Sequence, residues 1–63
     1  MDGIELKVQR IRAGLRQYEL AARAGLREGE LSLIETGRKL PSEEKLARIL
    51  QALGTARRAA GGG

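Results

Sequence analysis

The sequence predicts an all-α domain of four or five short helices. Three observations carry this prediction. Apolar residues recur at helical spacing, and no stretch shows the alternation of a β-strand. Gly14, Gly25, Gly37 and Gly54 each follow such a periodic segment directly, where helices stop. The chain has 63 residues, the length of a single domain, and shows no internal repeat.

The first helix spans about residues 4–13 and ends at Gly14. It carries two faces. Ile4, Val8 and Ile11 share one by their spacing, while Leu6 and Ala13 lie on the opposite side together with Arg10. Either the helix is packed on both sides or one stripe meets a partner. The second helix spans 17–24, with Leu20, Ala21 and Ala24 inward. Ala21 is small enough for another helix to approach closely. Gly25 closes it, at a position that needs a left-handed backbone, and Leu26 fills the corner. The third helix spans 28–36, with Leu31 and Ile34 inward and Gly37 as its stop.

Residues 38–41 form a loop, in which Pro41 pushes Leu40 to an extended conformation. Ser42 caps the fourth helix, residues 43–53, and Glu43 and Glu44 complement its dipole. Leu46, Ile49, Leu50 and Leu53 form its inward stripe, and Gly54 ends it. Thr55 is placed to cap a short polar helix, residues 56–60, which has no large apolar anchor and frays. Gly61 to Gly63 read as a flexible tail. The domain is therefore residues 1–54, followed by a short segment, 55–63.

Two short helices joined by a tight glycine turn, over residues 17–36, form a helix-turn-helix, whose second helix can enter a DNA major groove. The plainer alternative is an αα-hairpin in a small bundle. Composition agrees with a nucleic-acid partner: 12 basic residues against 8 acidic, net +4, with a pI near 10.4. Other classes are disfavoured. The chain has no Cys and no His, hence no disulfide, no thiolate or imidazole metal site, and neither of the commonest catalytic groups. With Asp2 its only aspartate, and no phosphate-binding glycine loop, it is not expected to be an enzyme or to hold a cofactor or metal. No apolar run approaches the roughly 20 residues of a membrane span. Asp2 and Glu5 stand where a secretory signal would be basic. A cytoplasmic, nucleoid-associated protein is the expectation.

Arg10, Gly14, Leu15, Gln17, Leu20, Ala21, Gly25, Leu31, Ile34, Glu35, Gly37, Pro41, Ser42 and the closing Ala52, Leu53 and Gly54 occur together in one ungapped run from Leu6 to Gly54. In this combination the chain resembles the phage Cro/repressor type of helix-turn-helix domain, the xenobiotic-response-element family. The resemblance implies a lambda-repressor-like all-α fold. It also implies an ion pair between Arg10 and Glu35 that orients the recognition helix. An arginine on the face shared with Leu6 and Ala13 agrees with such a pair.

The resemblance further implies a backbone phosphate at Gln17, where a helix N-terminus offers free N–H groups. Arg16, Arg38 and Lys39 flank the motif as further phosphate candidates. Base reading falls to Arg27, Glu28, Gly29, Ser32 and Leu33. This set holds no Gln or Asn, the usual readers of adenine. Arg27 suits guanine, a carboxylate can accept from cytosine N4, and Leu33 suits a thymine methyl. Gly29 presents no side chain and costs roughly 0.5 to 1 kcal/mol of helix stability.

The favoured function is a transcriptional regulator, repressor-like, that binds double-stranded DNA as a homodimer. No small-molecule ligand or membrane is implied. The alternative is a protein-interaction module, antitoxin-like or coactivator-like, that keeps the scaffold and turns Glu28, Glu30 and Leu33 to a basic protein. The stripe Ile4, Val8 and Ile11 is the candidate partner contact, or the seat of a C-terminal segment.

Overall fold

Asp2 Oδ1 accepts a hydrogen bond from the Glu5 amide at 2.8 Å and so caps the first helix. The structure, a computed structural model, describes residues 2–61, with side-chain surroundings through Arg58. Within these residues lie four helices: α1 (Gly3–Arg12), α2 (Gln17–Ala24), α3 (Glu28–Glu35) and α4 (Glu43–Gly61). The all-α expectation holds. Thr36 serves as the C-cap of α3 rather than as its last residue. Among the described residues, no helix is long and apolar enough to cross a membrane.

The two-faced character of α1 is resolved by packing. Leu6 and Ala13 are buried, and Ile4 (69 %) and Ile11 (58 %) stand exposed with Val8. α1 therefore packs on one side only, against α3 and, less extensively, α4. Gly3 sets the closeness of this contact. A Cβ at that position would lie 1.9 Å from the Ile34 carbonyl oxygen, far inside van der Waals distance. Only glycine allows the start of α1 to lie against the last turn of α3.

The turn between α2 and α3 is a complete Schellman motif. Gly25 has φ +70°, its N–H donates to the Ala22 carbonyl, and the Leu26 N–H donates to the Ala21 carbonyl at 2.8 Å. Leu26 then packs against the core. The same two bonds end α1 at Gly14 and Leu15, and α3 at Gly37 and Arg38.

The core is aliphatic. Leu6, Leu20, Leu31, Ile34, Ile49 and Leu53 are fully buried, with Ala21, Ala24, Ala52 and Ala56 between them. Each large side chain contributes roughly 1.5 to 3 kcal/mol by leaving water, so few can be spared in a domain of this size. Tyr18, the only aromatic residue, points outward.

α4 departs from expectation in three ways. Gly54 does not end it: the helix continues to Gly61 in one piece, without the separate fraying helix at 56–60. The buried positions Ile49, Ala52, Leu53 and Ala56 form a continuous inward stripe. That packing outweighs the roughly 1 kcal/mol that an interior glycine costs. Thr55 caps nothing; its hydroxyl donates to the Gln51 carbonyl at 3.0 Å, one turn back. Leu50 is 38 % exposed rather than inward, because α4 is covered chiefly by α2 and its buried stripe is narrow. Ser42 does cap α4, accepting from the Lys45 amide at 3.2 Å. Beyond Gly61, the expected glycine tail lies outside the described residues.

Candidate nucleic-acid interface

α3 is held by its buried side. Leu31 and Ile34 enter the core, and Glu35, the only charged residue buried among those described, is 3 % exposed. A buried carboxylate demands partners. Arg10 Nε donates to Glu35 Oε2 at 2.8 Å and Arg10 Nη2 to Oε1 at 3.2 Å, a side-on bidentate pair. Arg10 Nη1 donates to the Leu15 carbonyl at 2.9 Å, and Gln17 Nε2 donates to Glu35 Oε1 at 3.3 Å. This network joins α1, the first turn of α2 and the last turn of α3. Both partners of the expected Arg10–Glu35 pair thus meet. The additional bond from Gln17 had no signal in the sequence beyond its position at the start of α2.

The outward side of α3 is open. Glu28, Gly29 and Leu33 are exposed, Ser32 is half-buried, and Arg27 is exposed at the N-cap. These five candidates form one face, since positions 28, 29, 32 and 33 fall together on a helix. Glu30 lies off this face. Its carboxylate accepts from Lys39 Nζ at 2.9 Å and from Lys45 Nζ, and so ties α3 to the following loop and to α4. These two hydrogen bonds, Lys45 first, pull its pKa from the ordinary 4.5 to about 2. Nine and 15 residues separate Glu30 from these lysines, a spacing with no helical meaning, so sequence reading missed the cluster.

Arginine occupies the N-cap of both α2 and α3. Its side chain has no acceptor and cannot close the free N–H groups of a first turn. In α2, Glu19 Oε1 accepts from the Arg16 amide at 2.8 Å and the Glu19 amide donates to the Arg16 carbonyl at 3.0 Å, which leaves the Gln17 and Tyr18 amides as the uncapped donors of this turn. Arg16 is exposed and Gln17 half-buried. At the far end of α3, Arg38 and Lys39 are exposed, Lys39 with its ammonium on Glu30.

The profile of the helix-turn-helix domain matches residues 3–60. The chain belongs to this family. The match spans all four helices and agrees with a Cro/repressor-type helix-turn-helix domain. In this helix-turn-helix protein α2 and α3 are the two motif helices, and α1 and α4 form the support behind them. The family is a DNA-binding one, typically without enzymatic activity. Comparison with curated proteins and with solved structures gave no match.

Proposed function

We propose that this protein is a sequence-specific, repressor-like transcriptional regulator that binds double-stranded DNA as a dimer, with α3 in the major groove. The observation that carries the proposal is the three-helix clamp on Glu35. It fixes the angle of α3 against α1 and α2 while the face bearing Glu28, Gly29, Ser32 and Leu33 remains open. Arg27, at the start of that face, is the best match to a guanine edge, and Glu28 to cytosine N4. Arg16 and Gln17 at the start of α2, with Arg38 and Lys39 after α3, supply phosphate contacts. The bond from Gln17 to Glu35 is compatible with this role. A primary amide has two N–H donors, and the main-chain N–H at the helix start is a third.

The test is a fluorescence-anisotropy titration of the chain with a mixed pool of short duplexes at low and moderate salt. Affinity is expected to fall log-linearly with salt, with a slope of about −0.9 for each neutralised phosphate. Failure to bind at low salt and high protein concentration would overturn the proposal. It would favour the second reading, a protein-interaction module, for which exposed Leu33 beside Glu28 is the supporting observation.

A further inference from the structure

Gly54 and Leu50 of α4 take no part in the helix-turn-helix. Gly54 sits within a 19-residue helix, and a Cβ there would meet nothing within 4 Å. Among the described residues nothing calls for glycine at that point, although glycine weakens a helix interior. Leu50, one turn earlier, is half-exposed. With Gln51, Thr55 and Arg58 these two residues form an exposed strip along α4. Through Gln51 and Thr55 it runs into a groove of about 390 Å³, lined also by Arg23 of α2 and by Arg48 and Ala52 of α4.

The joined surface has a consistent chemistry. Arginines from two helices border it at three points, and Arg48 is paired with Glu44 one turn back. The gap at Gly54 lets another main chain approach α4 closely, a common use of glycine. Leu50, one turn away on the same side of α4, supplies apolar contact beside it. We propose that this groove docks an acidic peptide segment of a partner protein. Its carboxylates meet Arg23, Arg48 and Arg58, and an apolar side chain rests on Leu50 beside Gly54. The three arginines complement carboxylates, and exposed Leu50 suits an apolar side chain and not a phosphate. Arg23 lies at the opposite end of α2 from Arg16 and Gln17, roughly 10 Å along the axis. The groove is therefore separate from the phosphate side of the motif, and this inference does not depend on DNA binding.

The test uses the full, isotope-labelled chain and a fluorescent peptide of Glu-Leu-Leu-Glu repeats, with the Gln-for-Glu peptide as control. Amide shifts are expected at Arg23, Gln51, Gly54 and Thr55. Affinity is expected to fall about tenfold or more for the control peptide, and likewise for Arg23→Glu combined with Arg48→Glu. Gly54→Leu fills the gap with a good helix former, so circular dichroism retains the helix while peptide affinity falls about tenfold. Shifts confined to α3, equal binding of the Gln peptide, or unchanged affinity of Gly54→Leu would each overturn the proposal. So would a DNA duplex that shifts the same residues at lower concentration than the peptide does, which would make the groove a nucleic-acid surface.

Discussion

Arg10 and Glu35 face each other across 25 residues of chain in a side-on bidentate ion pair, both of them largely withdrawn from solvent. Removing one partner leaves the other buried without compensation. Such a loss costs about 3 to 5 kcal/mol, against a total stability of only about 0.05 to 0.15 kcal/mol per residue. Arg10→Met is therefore expected to leave much of the protein unfolded at 25 °C. Arg10→Met combined with Glu35→Leu should regain most of that stability. Urea unfolding of the two variants checks this. Equal midpoints for the wild type and Arg10→Met would show that the pair contributes nothing.

Two glycines should respond to alanine in opposite directions. At Gly54 the added methyl meets open space within a helix, so Gly54→Ala is expected to stabilise by about 1 kcal/mol, raising Tm by about 4 to 8 °C. At Gly3 the same methyl collides with the Ile34 carbonyl oxygen, and Gly3→Ala is expected to destabilise by about 1 to 3 kcal/mol as α1 is pushed off α3. Thermal melts of both variants decide the matter; a raised Tm for Gly3→Ala would contradict the contact at Gly3, and a lowered one for Gly54→Ala the open space at Gly54.

Glu30 makes stability depend on pH in a known direction. Its carboxyl is depressed in the folded state to about 2 from the ordinary 4.5, so the folded form holds its proton less tightly than the unfolded form does. The stabilisation is complete above pH 4.5 and is lost as pH falls from there to about 2. Glu30→Gln should remove this component. The gap in urea midpoint between wild type and variant is expected to be largest near neutral pH and to close by about pH 2. A gap that stays constant with pH would contradict the pairing with Lys39 and Lys45.

Under the proposed function, positioning and reading residues should separate in binding data. Arg38→Ala is expected to weaken binding to all duplexes alike and to reduce the salt slope by about 1. Arg27→Ala should instead cost about 1 to 3 kcal/mol on the preferred duplex and less on others, relaxing preference at one base pair. Affinity measurements on a selected operator and on scrambled DNA, across a salt series, distinguish the two patterns.

The proposed dimer is tested at the exposed stripe of α1. Ile4, Val8 and Ile11 point away from the core, so Val8→Asp should leave the melting temperature within a few degrees of wild type. If the stripe joins two copies, the variant should bind a two-half-site operator without cooperativity and sediment as a monomer. Unchanged association on DNA would assign the dimer contact elsewhere.

Much of the fold is written in local pattern. Gly14, Gly25 and Gly37 closed the first three helices as expected, because a left-handed helix stop is a local demand that few other residues meet. Ser42 capped α4 for a similarly local reason. Arg10 and Glu35 were legible as partners from a family resemblance, and from the oddity of a charge on the face of Leu6. The failures share a cause. Gly54 resembled the other stops, but the buried Ala52 and Ala56 keep α4 going past it, and small alanines give little periodic signal. Leu50 fitted the helical spacing, yet too little of the chain covers that side of α4. Glu30 was read as part of a surface facing outward, whereas Lys39 and Lys45 turn it aside.

The all-α class, the positions of the first three turns, the helix-turn-helix and the positive charge of the whole chain can be read from sequence alone. These follow from side-chain spacing, backbone preference and composition, which are properties of neighbouring residues. Packing between helices sets which face of α1 is buried, how closely α1 lies on α3 at Gly3, how far α4 extends and which cations hold Glu30. Each of those depends on what another segment brings within a few ångströms, and no local preference encodes that distance.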